Sequence, residues 1–124
     1  MKLVLKILVC FIFMVNFPLI NKFILLELDP NTFRYANQDG AYTRIQYFEF
    51  KETSISKYNI NRFIEATKPT DINKEFYRLY KINLFCFWRW NYYILIASKF
   101  KYKPWSEIAP NRVPYNPKNR WQDF

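Results

Sequence analysis

Residues 87–90, Phe-Trp-Arg-Trp, set one guanidinium, Arg89, between two indoles, Trp88 and Trp90. A planar guanidinium binds phosphate or carboxylate through its fork and stacks on aromatic faces, while indoles favour the boundary between apolar and wet surroundings. Other reactive side chains are sparse. The chain has no histidine, which removes the commonest general base, proton shuttle and metal ligand. Its single glycine, Gly40, excludes Gly-rich phosphate loops and dinucleotide fingerprints. Cys10 and Cys86 are the two cysteines, and neither has a second thiol close by to build a zinc or iron–sulfur site, so both are expected as small buried hydrophobes. Val9 stands where a lipoprotein signal needs a small residue before Cys10. None of the four serines has a nucleophile-elbow context, and Glu49 and Glu52 read as surface charge. These residues predict a non-enzyme with no cofactor, no metal and no small-molecule substrate.

The net charge of +9 is unevenly spread. Residues 1–26 carry +3, residues 27–75 carry −1, and residues 76–124 carry +7. A cationic and aromatic C-terminal half suits anionic lipid head groups, nucleic acid or an acidic protein partner. With 124 residues, of which 22% are aromatic, the chain has room for one small domain built on rings.

The element that must carry this half is an apolar opening, MKLVLKILVCFIFMVNFPLINKFILLELDP. Basic residues precede an apolar run, as in a secretory signal, but no small-x-small cleavage site follows Val15. The expectation is an uncleaved signal anchor over residues 3–26. At about 1.5 Å per residue, these 24 positions suffice for a hydrocarbon core of roughly 30 Å. Asn16 and Pro18 fall mid-span, and Pro18 is expected to kink the helix and free the carbonyl near Met14. The competing reading is a buried helix of a soluble protein.

Further on, Asp39-Gly40 is flanked by Tyr, Phe, Thr and Ile, which predicts a hairpin with strands near 32–37 and 41–51. Asp39 lacks the alternating oxygens of a calcium loop. Apolar spacing predicts a helix near 55–67, with a serine cap before it and Pro69 after it, and a second helix near 71–82 opened by Thr70 and Asp71.

Residues 76–100 contain neither Gly nor Pro, and two periodicities compete there. As a helix, the length of the run is explained, and Arg78, Lys81, Arg89 and Lys99 share an arc of about 80°. As a strand, Ile82, Leu84, Cys86, Trp88 and Trp90 alternate with polar residues. Helix is favoured. The mostly apolar part, residues 82–97, is short for a crossing, and Arg89 opposes one, costing upward of ~2.5 kcal/mol at mid-bilayer. The expected place for Arg89 is the surface, with Arg78, Lys81, Trp88, Arg89, Trp90 and Lys99 contacting lipid or a partner.

The C-terminal 24 residues hold four prolines, which oppose helix beyond Ser106–Ala109. Aromatics recur among the bases there, so an extended Pro/aromatic arm is expected to dock on its own domain or on a neighbouring subunit. Trp105, Tyr115, Arg120, Trp121 and Phe124 are its expected contacts, with Arg120 stacking on a ring or pairing with a carboxylate.

The fold class expected is α+β: an N-terminal transmembrane signal-anchor helix, then one β-hairpin, two to three helices and the arm. The divisions are 1–26 anchor, 27–103 domain and 104–124 arm. The expected function is a single-pass accessory or assembly subunit of a larger complex in a bacterial or organellar inner membrane. Its partners are membrane lipids and other protein subunits. The alternative is a freestanding binding protein, of inhibitor, immunity or nucleic-acid-binding type, that grips an acidic partner with its basic aromatic surface; nucleic acid itself is disfavoured by the anchor.

Overall fold

The computed structural model describes residues 1–29, 32–46 and 57–124. The fold is mixed α+β, with five α-helices and a four-stranded sheet among the described residues. The chain forms two compact units: a helical unit of residues 1–31 and 82–99, and a sheet unit of residues 32–81 and 100–124.

In the sheet unit, strands β1 (Phe33–Asn37) and β2 (Thr43–Gln46) pair antiparallel, Phe33 opposite Gln46 and Ala36 opposite Thr43. The hairpin predicted from Asp39-Gly40 is present. Gly40 adopts φ +66°, and Asp39 Oδ1 accepts the Ala41 amide at 3.1 Å. The remainder of the predicted second strand, residues 47–51, lies outside the described residues, as does the predicted serine cap. A Cβ at position 40 would lie 2.9 Å from Arg112 Cβ. Gly40→Ala is therefore expected to destabilise the sheet unit by about 1–2 kcal/mol through the left-handed backbone alone, with the contact adding to it. A urea midpoint equal to that of the parent would contradict this.

Helix α3 (Lys57–Thr67) forms where apolar spacing predicts it and buries Phe63. It ends as Lys68 takes φ 46° and its amide bonds Ile64 O at 2.9 Å, a left-handed cap just before Pro69. The helix predicted over 71–82 does not form. A 3-10 turn spans Asp71–Lys74 and strand β3 spans Phe76–Arg78. Pairing to β1 overrides helix capping here: Tyr35 faces Arg78 and Asn37 faces Phe76, and aromatic residues suit the pleated surface.

The continuous helix favoured over residues 76–100 is likewise absent. After β3 the chain runs through 3-10 turns at Phe87–Arg89 and Ala97–Lys99 around α4 (Trp90–Leu95), and reaches β4 (Lys101–Tyr102). Asn83 supplies one reason, because its side chain accepts the Phe85 amide at 3.0 Å and its carbonyl accepts the Cys86 amide at 3.0 Å, a turn that competes with helix. Strand β4 pairs parallel to β3, giving the sheet order β2-β1-β3-β4.

The core of this unit is aromatic. Tyr35, Tyr42 and Phe63 are fully buried, and the Tyr42 ring lies 4.9 Å from Phe63 and 5.2 Å from Phe76, centroid to centroid. Tyr77 donates to Glu75 Oε2 at 2.5 Å. That bond, reinforced by burial, pushes the phenol up to about 12. Because the folded value lies above the unfolded value near 10, the stability this bond contributes is complete below about pH 10 and is lost as pH rises toward 12. Absorbance titration at ~295 nm, differenced against Tyr77→Phe, is expected to show one late-titrating phenol, and Glu75→Gln to move it back toward 10. A Tyr77 titration coincident with the other tyrosines would overturn this.

The arm packs on its own sheet unit. Helix α5 (Trp105–Ile108) buries Ile108 and is followed by a 3-10 turn at Ala109–Asn111, and residues 121–124 run along the outer side of β2. Thr43 donates its amide to Trp121 O at 2.9 Å, Asp123 donates its amide to Thr43 O at 3.2 Å, and Arg44 pairs with Asp123 at 2.8 Å. Gln122 donates to Gly40 O at 3.0 Å. These bonds cover the β2 edge, which would otherwise present unpaired amides.

Candidate functional site

The helical unit begins with α1 (Lys2–Val15), which stops at Asn16. Pro18 is the cause: it lacks an amide hydrogen and opens a new helix, α2 (Pro18–Phe23), continued by a π-helical turn at Ile24–Leu28. The two helical pieces are bent by 69°. A break of this kind frees backbone carbonyls, and the structure pairs them. Met14 O, expected to lack a partner, accepts the Phe17 amide at 3.1 Å. Val15 O accepts from Asn21 Nδ2 at 2.9 Å, and Ile12 O, which keeps the Asn16 amide at 3.2 Å, also accepts Asn16 Nδ2 at 2.9 Å.

The same two asparagines reach the aromatic-arginine stretch. Asn16 Nδ2 also donates to Phe87 O at 2.9 Å, and Asn21 Nδ2 to Trp88 O at 2.6 Å. Asn91 returns two bonds, its amide to Asn16 Oδ1 at 3.2 Å and its side-chain nitrogen to Asn16 O. Asn21 is fully buried, and its Oδ1 meets no donor among the described residues. Its amide orientation is set by the two carbonyls it serves.

Asp29, at the end of the π turn, completes the cluster. Arg89 donates to it through Nε at 2.5 Å and Nη2 at 2.7 Å, and Trp88 Nε1 donates at 2.9 Å. Asp29 is 5% exposed. A two-pronged arginine–carboxylate contact in a dry setting is short and strong. The bond to Asp29 raises Arg89 above even its ordinary range, while burial opposes that shift. Asn16, Asn21, Asp29, Trp88, Arg89 and Asn91 thus form one polar cluster inside the bend.

The outer surface has the opposite character. Among residues 2–28 only Val15, Asn21 and Leu25 are buried. Leu3 is 69% exposed, Phe13 75% and Leu19 77%, and Phe85, Ile94 and Leu95 from the second segment are exposed as well. Val9, Ile12, Phe17, Pro18, Trp90 and Ile94 line an apolar groove of about 560 Å³ at the bend. Cys10 is exposed on α1 and Cys86 half-buried, both as free thiols; Cys10 is not the buried residue expected. No single helix among the described residues is long and apolar enough to cross a membrane, while the bent pair Lys2–Val15 and Pro18–Leu28 passes that test together.

Trp88, Arg89, Trp90 and Lys99 belong to the helical unit, and the other expected contacts to the sheet unit. Trp90 donates to Leu84 O at 2.9 Å. Lys99 is exposed at the end of the helical unit. Arg78 belongs to β3, where it donates to Phe100 O at 3.1 Å and Tyr80 O at 2.7 Å, and Lys81 sits 5.8 Å from the Tyr102 ring centroid. The four cations therefore do not form one helical stripe. In the arm, Trp105 packs on Phe124 at 5.3 Å, with the Arg112 guanidinium over the Trp105 ring at 5.0 Å. Arg120 stacks on Trp121 at 4.3 Å, Trp121 packs against Phe63 at 5.6 Å, and Tyr115 stays exposed. Among the described residues, no three His, Cys, Asp or Glu side chains gather as a metal site would require. The cluster residues not expected as contacts from sequence are Asn16, Asn21, Asp29 and Asn91. The first three were visible as polar interruptions or ends of the apolar run, but their partners were not.

No protein family, curated protein or solved structure matches the chain.

Proposed function

We propose that the chain is a membrane-anchored, non-enzymatic accessory subunit of a larger membrane protein complex, held in lipid by residues 2–28. One observation carries this reading: the helical unit is sorted inside out, with asparagines, an aspartate and an arginine turned inward and large aliphatic and aromatic side chains turned outward. In water such a surface is a liability. In a bilayer it is the stable arrangement, because polar side chains and freed carbonyls must find partners inside the protein. The buried soluble helix would require the reverse sorting.

The sheet unit is then the part that meets other subunits in water. Its rings are largely occupied by its own cations, as with Lys103 over Tyr77 at 4.2 Å and Arg44 over Tyr42 at 4.9 Å, which leaves fewer free faces for stacking bases. The exposed Val113 and Tyr115 of the arm remain available to a neighbouring protein. The test is purification: after a carbonate wash the chain is expected in the membrane pellet, and detergent is expected to extract it with a fixed set of other chains. A monodisperse soluble monomer obtained without detergent overturns the proposal.

A further inference from the structure

Resting on that membrane reading, we infer that residues 2–28 occupy a single leaflet, entering and leaving by the same membrane face, with the Asp29–Arg89 end of the polar cluster at the head-group level. Lengths point this way first. Helix α1 has 14 residues, roughly 21 Å at about 1.5 Å each, and Pro18–Leu28 gives roughly 16 Å, both short of the roughly 30 Å hydrocarbon core. A straightened pair would suffice, but the bend is tied on both sides of the break: Asn16 and Asn21 bind Ile12 O and Val15 O within α1 and also Phe87 O and Trp88 O. Dipping at half the 69° bend, α1 descends about 12 Å, within the roughly 15 Å of one leaflet.

The contents of the bend decide between the two paths. Residues 87–89 contact both α1 and the π turn, so the concave side holds Arg89, Asp29 and the Trp88 indole. A transbilayer path would carry this load toward mid-depth, where an arginine is most costly and where indoles are least favoured. A single-leaflet path sets it beside the phosphates and turns the exposed Leu8, Phe13, Leu19 and Phe23 down into the acyl chains. Charge agrees. Lys2 and Lys6 open α1 without an acid, and Lys22 is exposed on α2 ahead of the exposed Glu27, so each helical piece carries a cation suited to an anionic head-group layer.

Sidedness tests this directly. In the full chain carrying Cys10→Ser and Cys86→Ser, Lys2→Cys and Lys99→Cys would be introduced singly; both lysines are exposed. Bacterial spheroplasts expressing each variant would be treated with a membrane-impermeant maleimide before and after permeabilisation. Both positions are expected to respond alike, either both labelled in intact spheroplasts or both labelled only after permeabilisation. One labelled and the other protected places the flanks on opposite faces and overturns the inference. A carbonate wash of the same membranes separates the two levels: chain lost to the supernatant removes the membrane reading itself, whereas retained chain with opposite labelling removes only the single-leaflet path.

Discussion

Replacing Asp29 with Ala is expected to destabilise the helical unit by about 2–3 kcal/mol, because it leaves the half-buried Arg89 guanidinium and the Trp88 indole without their shared acceptor. The effect is asymmetric. Asp29→Asn keeps the shape and one acceptor oxygen but loses the charge, so its cost should be smaller. Asp29→Leu combined with Arg89→Leu should recover much of the loss, since an apolar pair leaves no buried ion behind. Unfolding of the detergent-solubilised chain, followed by tryptophan fluorescence, measures all three. A shift below about 1 kcal/mol for Asp29→Ala would mean that the pair is solvated and that the cluster does not hold the bend.

The second large effect concerns the outer surface. Leu8→Arg, on the exposed part of α1, is expected to weaken membrane retention by about 1–2.5 kcal/mol, on the order of 10-fold in partitioning. Ile72→Arg makes the same chemical change at an exposed site of the sheet unit and should leave retention unchanged. Flotation of both variants with vesicles of phosphatidylcholine and phosphatidylglycerol gives the comparison. Equal retention of Leu8→Arg and the parent would show that α1 does not face lipid. Together the two substitutions probe opposite sides of one arrangement, the first its polar interior and the second its apolar exterior.

Much of the sheet unit was legible because its signals are local. Asp39-Gly40 needs only its own backbone to turn, and α3 announces itself by apolar spacing and by Pro69. Strand β3 was not legible: Phe76–Arg78 becomes a strand through pairing with Tyr35, Ala36 and Asn37, contacts that no window around residue 77 contains. Residues 82–99 misled for a related reason, since helix and strand periods fitted them equally and the deciding bonds come from elsewhere. Asn16 and Pro18 looked like defects in an anchor. The meaning of Asn16 depends on Phe87 and Asn91, that of Asn21 on Trp88, and that of Asp29 on Trp88 and Arg89, partners 59 to 75 residues further along. The arm was ambiguous between its own domain and a neighbour, and the Arg44–Asp123 pair with the Thr43 bonds places it on its own sheet.

That wide spacing also orders events on the ribosome. Asn16, Asn21 and Asp29 leave the exit tunnel well before residues 87–91 do, and at roughly 5–20 residues per second a lag of 59 to 75 residues is about 3 to 15 seconds. Throughout it the nascent opening segment has an incomplete interior, so whatever surrounds that segment first is met before its polar ring closes.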